Sequence, residues 1–129
     1  MILRVVTPTK TLVDTEVADV TAPGVAGQIG VLSQHATFLG QLEAGVVAFT
    51  ASGKRARIVI SGGYVEVIDD VVTVLADDAE LADSIDVAAA RAEMERLRER
   101  LSTTTGSESE IDEVLSALRL AEIRSGQPS

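Results

Sequence analysis

The sequence predicts an all-β sandwich, about ten short strands in two packed sheets, followed by an antiparallel α-helical hairpin. Three observations carry that expectation. Apolar residues in the first two thirds of the chain come in short β-branched runs, with Gly, Pro and Asp between them at intervals of roughly 8 to 12 residues, the spacing of an antiparallel sandwich. Aromatics are only 2% of the 129 residues while 46% are apolar, so the core must be aliphatic and thin, as between two packed sheets. After Asp83 the apolar period changes from two to 3.6 and charges crowd between the apolar positions. The expected organisation is a β-sandwich domain over 1–83 and a helix-turn-helix domain over 84–129 whose last residues are disordered.

Ile2 to Thr7 reads as a strand, stopped by Pro8, which cannot donate to a ladder and restricts Thr7 before it. Thr11-Leu12-Val13 opens a second strand that leads through Asp14-Thr15 to Glu16–Thr21, and Pro23-Gly24 reads as a turn, fixed φ followed by free φ. In the stretch Gly27 to His35 the Gly27-x-x-Gly30 pair around a short apolar run reads as a strand entered and left through tight corners, a stiff presented edge. Gly45 to Ala51 and Arg55 to Ile60 make a hairpin about Ser52-Gly53-Lys54; Ala56, Ile58 and Ile60 alternate with Arg55 and Arg57, one face dry and the other wet. Gly62-Gly63 breaks the alternation as a strand bulge, and Tyr64–Ile68 and Val71–Ala76 flank a tight acidic turn at Asp69-Asp70. Asp77-Asp78-Ala79-Glu80 reads as a solvated linker.

Val87, Ala90, Met94, Leu97 and Leu101 recur at three- and four-residue steps and form one helical stripe, capped by Ser84 or Asp83 and ending near Ser102, with Gly106 free to turn left-handed. Ser107-x-x-Glu110 has capping-box spacing for a second helix, whose stripe is Ile111, Val114 or Leu115, Leu118 and Ala121. Helices joined by about five residues favour an antiparallel hairpin, and its small, alanine-rich seam makes it marginal alone.

A formal charge of −9 argues against a nucleic-acid partner, since phosphate neutralisation needs clustered Lys and Arg. No cysteine means no disulfide or thiolate metal site. Met1 to Val6 is too short for the apolar core of a signal sequence and no run approaches membrane-spanning length, so membrane association is expected only through a partner. His35 is the only histidine, so any Ser-His-Asp relay or metal site would have to use it; a loop histidine bonded to backbone or facing a partner is the favoured reading. Ser61-Gly62-Gly63 lacks the Lys-Ser/Thr of a phosphate loop, and the acidic clusters lack the ligand spacing of a calcium loop. No catalytic residue, cofactor or metal is expected.

The stretch Gly27 to Gly45 resembles the epsilon subunit of bacterial F-type ATP synthases, which reads Gly-x-x-Gly-Ile-Leu-Pro-Gly-His-Ala-Pro before a leucine-rich step and Pro-Gly. Gly27, Gly30, Leu32, His35, Ala36, Leu39 and Gly45 are kept. Ser33, Gln34 and Thr37 replace Pro, Gly and Pro, and Ala44 replaces the Pro before Gly45, which implies a loop around His35 less rigid than in relatives. Ile60-Ser61-Gly62-Gly63-Tyr64 with Val72-Thr73-Val74-Leu75-Ala76-Asp77 is similar to the family's strand-Gly-Gly-strand and closing strand.

The resemblance implies a non-catalytic rotor subunit of the central stalk that couples proton translocation to ATP synthesis. It would join the gamma subunit to the c-ring on the cytoplasmic face of the bacterial cell membrane, peripherally attached. Gln28, His35 and Thr37 match subunit-contact positions. The hairpin would restrain ATP hydrolysis when extended toward the alpha and beta catalytic subunits, with Arg91, Arg96, Arg98, Arg100, Arg119 and Arg124 as candidate contacts. Some relatives bind ATP through Ile/Leu-Asp-x-x-Arg-Ala. Here Ile85, Asp86 and Ala90 match, Ala89 stands where the arginine belongs, Arg91 lies about 200° round the helix and cannot replace it, and Arg124 matches one second-helix arginine. ATP sensing is the alternative reading, and a small hydrolase built on His35 a third.

Overall fold

The computed structural model describes residues 1–127, so the expectation of disorder for the last residues, Pro128 and Ser129, lies outside the described residues. The strands are β1 (Ile2–Val6), β2 (Thr11–Glu16), β3 (Asp19–Gly24), β4 (Gly27–Leu32), β5 (Phe38–Leu42), β6 (Gly45–Ala51), β7 (Lys54–Ile60), β8 (Gly63–Ile68), β9 (Val71–Ala76) and β10 (Ala79–Leu81). A 3-10 turn at Ala82–Ser84 precedes the helices α1 (Val87–Thr103) and α2 (Glu108–Ser125). The chain divides into two compact units, Met1–Leu81 and a second that begins at Ala82.

The expected β-sandwich is present, with one refinement. Its layers are not separate sheets but one hydrogen-bonded path, β10-β7-β6-β3-β5-β8-β9-β1-β2, with β4 paired to β3. The two ends of the path, β10 and β2, come together. All pairings are antiparallel except β1 with β9. The path changes layer at β3, which pairs with β6 through Asp19, Val20 and Thr21 but with β5 only at Gly24 opposite Leu42. Leu3, Val5, Val47, Ile58, Ile60, Val65, Val72 and Val74 have no exposed surface and fill the interior with branched aliphatic chains. Phe49 is the one aromatic among the buried core residues.

Where the structure departs from the sequence reading, hydrogen-bond partners explain it. Pro23-Gly24 is not the turn but the end of β3, opposite Gln28 and Gly27, and the loop is Val25-Ala26. Pro23 has no amide to donate, but its carbonyl still bonds at the strand's end, accepting the Glu43 amide at 2.9 Å. The single strand expected through Glu16 to Thr21 is broken at Val17-Ala18: the Val17 amide donates to Met1 O at 2.8 Å and the Ala18 amide to Thr50 O at 2.8 Å, so the chain crosses there between partners. The Asp77–Glu80 linker turns back at Asp78 into β10, which pairs Ala79, Glu80 and Leu81 with Ile60, Val59 and Ile58. The cap of α1 is Asp86, not Ser84 or Asp83, its carboxylate accepting the Ala89 amide at 3.0 Å. That helix ends through an extended Thr104, and Gly106 does not take positive φ.

The second unit follows its stripes. Leu97 of α1 packs with Val114, Leu118 and Ala121 of α2, flanked by Met94 and Leu101. Val114 takes the inward place and Leu115 is 45% exposed. Ser107 caps α2, accepting the Glu110 amide at 3.3 Å. At about 1.5–3 kcal/mol for each large buried side chain, before ordering entropy, this seam holds only a marginal pair.

Gly63 is the tightest backbone approach in the sandwich. It sits at φ +144, where a Cβ would lie 2.0 Å from Leu75 O and 2.9 Å from Ala76 Cα, both main-chain atoms of the paired strand that cannot step aside. Gly63→Ala is expected to cost about 3 kcal/mol or more of unfolding free energy by combined strain and clash. Chemical denaturation of the full chain checks this; a loss below about 1 kcal/mol would show that the β8–β9 ladder is softer than its geometry.

Candidate functional site

The loop between β4 and β5 carries the only histidine. It opens with a turn in which the His35 amide donates to Leu32 O at 3.2 Å, and Gln34 at its third position has φ +64, a geometry that favours glycine. Asp70, on the β8–β9 turn, reaches this loop from far away in sequence. Its Oδ1 accepts the Gln34 amide at 2.8 Å, and the Ser33 hydroxyl donates to its two oxygens at 3.3 and 3.2 Å. The Gln34 amide holds the Asp70 carboxyl below its ordinary value of 3.8, with smaller help from Ser33 and the N-terminal amino group against some desolvation.

His35 is half-buried. Its Nδ1–H donates to Ala36 O at 2.7 Å and its ring meets the Phe38 ring edge-on, centroids 6.2 Å apart. A relay for hydrolysis needs the histidine between hydroxyl and carboxylate. Here Ser33 bonds Asp70 directly and Nδ1 is taken by a backbone carbonyl, so the three residues nearest to a triad are wired in the wrong order. Thr37 is exposed two residues on, and Gln28 is exposed near the other end of β4. At about 3.3 Å of rise per residue, roughly 13 Å of strand separates Gln28 from Leu32 at the loop's start, so the three contact candidates are strung along one edge, not clustered. Among the described strands β4 has only β3 as a partner, which leaves that edge open.

A second feature escaped the sequence reading. Ladder register puts Tyr64, Leu75 and Val6 in one row on the outward face of β8, β9 and β1, and Ile68, Val71 and Ile2 in another, with Leu39 on β5 opposite Glu66 between them. Leu39 is 73% exposed, Tyr64 53% and Leu75 52%. A concavity of about 380 Å³ lined by Val6, Thr7, Pro8, Tyr64, Leu75, Ala76 and Asp77 lies at one end of this face. The signal was legible: Val71-Val72-Thr73-Val74-Leu75-Ala76 is almost continuously apolar, as in a strand covered on both sides.

In the second unit the degenerate nucleotide motif is taken apart. Ile85 is buried, Asp86 is consumed as the helix cap, Ala90 is buried and Ala89 is exposed. Ala89 and Arg124 do meet, with Glu93, Ala117, Leu120 and Ala121, around a cavity of about 400 Å³ between the helices. Its lining offers one guanidinium and one carboxylate. Of the arginines on α1, Arg96 pairs with Glu93, and Arg98 with Glu95 at 3.4 Å and Glu122 of α2 at 3.7 Å. Arg91 and Arg100 are exposed and make no ion pair among the described residues. Arg119 is exposed on α2 and Arg124 half-buried there. No group of three or more His, Asp or Glu among the described residues is arranged to hold a metal ion, and no described helix is long and apolar enough to cross a membrane.

Residues 1–82 match the family model of the ATP synthase delta/epsilon chain β-sandwich domain. The ATP synthase epsilon chain of Carboxydothermus hydrogenoformans is 44% identical over 103 residues, covering 80% of this chain and 77% of that one. The epsilon chain of Solibacter usitatus is 41% identical over 123 residues, covering 95% and 90%. Among solved structures, a chain of the Euglena gracilis mitochondrial ATP synthase, determined as OSCP/F1/c-ring in rotational state 1, superposes with a TM-score of 0.82 at 27% identity over 95% of this chain and 77% of that one.

With no glycine-rich phosphate loop in the helical unit, a triphosphate there would depend on guanidinium forks, and the cavity between the helices opposes its one arginine with a carboxylate. Titration calorimetry of the full chain with ATP is expected to give no binding at millimolar concentration. A stoichiometric heat would show that Arg124 suffices without an arginine at Ala89.

Proposed function

This chain belongs to the ATP synthase delta/epsilon family, and from that premise we propose that it is a non-catalytic rotor subunit of the central stalk, joining the gamma subunit to the c-ring and coupling proton translocation to ATP synthesis. The observation that carries this reading is the pair of exposed apolar rows on the outward face of β8 and β9, with Glu66 and Thr73 between them. A sheet face with Tyr64, Leu75 and Leu39 more than half exposed is one that evolution keeps dry by covering it. Gamma is the proposed cover. The His35 loop and the open edge of β4, with Gln28, His35 and Thr37, are the proposed further contacts to gamma and the c-ring. Attachment to the membrane is then indirect, on the cytoplasmic face of the bacterial cell membrane.

The two-helix unit is the proposed restraint on ATP hydrolysis. Its seam is small and its outer surface charged, which suits an element with two resting states separated by a few kcal/mol. Arg91 and Arg100, without an internal carboxylate, are the better placed of the candidate arginines to meet an acidic segment of the catalytic subunits; Arg96 and Arg98 would first have to leave Glu93, Glu95 and Glu122.

Copurification tests the central claim. The chain is expected to associate with the gamma subunit of its own enzyme, and Leu75→Glu to weaken that association at least tenfold while the chain stays folded, because Leu75 faces outward. Wild-type association of that variant would remove the sheet face from the interface. Truncation after Asp83 keeps all ten strands and is expected to leave a folded sandwich that still binds gamma, while ATP hydrolysis by the assembled enzyme rises. Unchanged hydrolysis would mean that the helices do not inhibit here.

A further inference from the structure

We propose that Asp70 is the positioning residue of the His35 loop, holding Gln34 in its left-handed conformation and so fixing the surface that the loop presents to a neighbouring subunit. The inference rests on the rotor-subunit reading above and adds to it the element that sets the loop's shape.

The loop's sequence and its backbone geometry are mismatched. The turn Leu32–His35 requires positive φ at its third position, which glycine accepts freely and which proline at the second position would pre-organise. The chain supplies Ser33 and Gln34 there, and Gln34 nevertheless sits at φ +64. Nothing in the local sequence accounts for that choice. The compensation is tertiary: the Asp70 carboxylate accepts the Gln34 amide at 2.8 Å and the Ser33 hydroxyl at 3.2 and 3.3 Å, two donors of one turn on one anion.

The anion is itself well anchored. Asp69 and Asp70 both have positive φ, 49° and 63°, as the two central residues of a tight hairpin turn whose twist suits the strands it joins. Asp70 O also accepts the Ile2 amide at 3.0 Å, tying the turn to the start of β1. The carboxylate is therefore delivered from the rigid β8–β9–β1 ladder to a loop that lacks stiffness of its own. Downstream the geometry continues without a break: Gln34 fixes the direction of His35, whose ring is then held by Ala36 O at 2.7 Å and by the edge of Phe38. A hydroxyl at position 33 is part of the device, because a proline there would have no group to donate.

The test uses the full chain and the enzyme complex stripped of it. Asp70→Gly removes the carboxylate while leaving the turn able to keep positive φ. It is expected to lower affinity for the stripped complex three- to tenfold, and adding Gln34→Gly, which takes the left-handed conformation without help, to restore affinity to within twofold. In the wild-type chain, NMR should show the Gln34 amide proton moving as Asp70 is protonated, with a midpoint below the ordinary aspartate value; in Asp70→Gly that movement should vanish. If Asp70→Gly binds as well as wild type while His35→Ala binds poorly, the positioning role is overturned and the subunit reading stands. If Asp70→Gly, His35→Ala and Leu75→Glu all bind as wild type, it is the subunit reading that fails. Failure of Gln34→Gly to rescue likewise overturns the proposal.

Discussion

The first unit depends on one constraint: a thin aliphatic interior must be closed between two layers without leaving backbone groups unpaired. With so few aromatics, no single side chain can span the gap, so the layers have to approach closely and branched chains from both must interlock. Keeping the ladder continuous meets the second half of the constraint. β3 gives Asp19 to Thr21 to β6 and Gly24 to β5, and passes the hydrogen-bonded path from one layer to the next. Gly24 is required there because a Cβ would lie 2.4 Å from Gly27 O. The changes of partner at Val17 and Ala18 serve the same end.

This explains which parts of the fold could be read in the sequence. Alternation and turn residues revealed the strands that obey a period of two, such as β7, and the positive-φ turns at Ser52-Gly53 and Asp69-Asp70. Stripe spacing revealed α1 and its end near Ser102, and cap spacing the start of α2 at Ser107. What escaped was fixed by the partners each segment finds. Pro23-Gly24 belongs to β3 because Gln28 and Gly27 lie opposite it, and Ala79–Leu81 is a strand because β7 has a free edge at Ile58–Ile60. The cap of α1 lay two or three residues beyond the first candidates because Asp86 alone places its carboxylate on the Ala89 amide.

The functional surfaces divide along the same line. His35 and Gln28 stand out in the sequence by type and by resemblance, yet neither has a partner that makes it chemically active. The outward face of β8 and β9 has no motif. Its meaning comes from register, which stacks Tyr64 against Leu75 and Leu75 against Val6 so that scattered apolar residues become a row. A row of partly exposed apolar side chains beside a shallow concavity has more to offer a large subunit than a small substrate, since affinity there grows from buried area and fit, not from a few polar groups.

The Asp70 tie shows how a fold can replace covalent stiffness with charge. Proline shapes a turn by narrowing what the chain can do even when unfolded, and glycine by taking positive φ without strain, whereas a carboxylate acts only once the sandwich has brought it to the loop. The replacement also carries a sign with pH. The Asp70 carboxyl is held below its ordinary value of 3.8, chiefly by the Gln34 amide, so its contribution is complete above the unfolded value and is lost as pH falls through the lower folded one. At neutral pH the carboxylate is ionised throughout, and the tie is as constant as a proline would be. The cost is transferred to Asp69 and Asp70, which must both stay left-handed to hold the anion where the loop needs it.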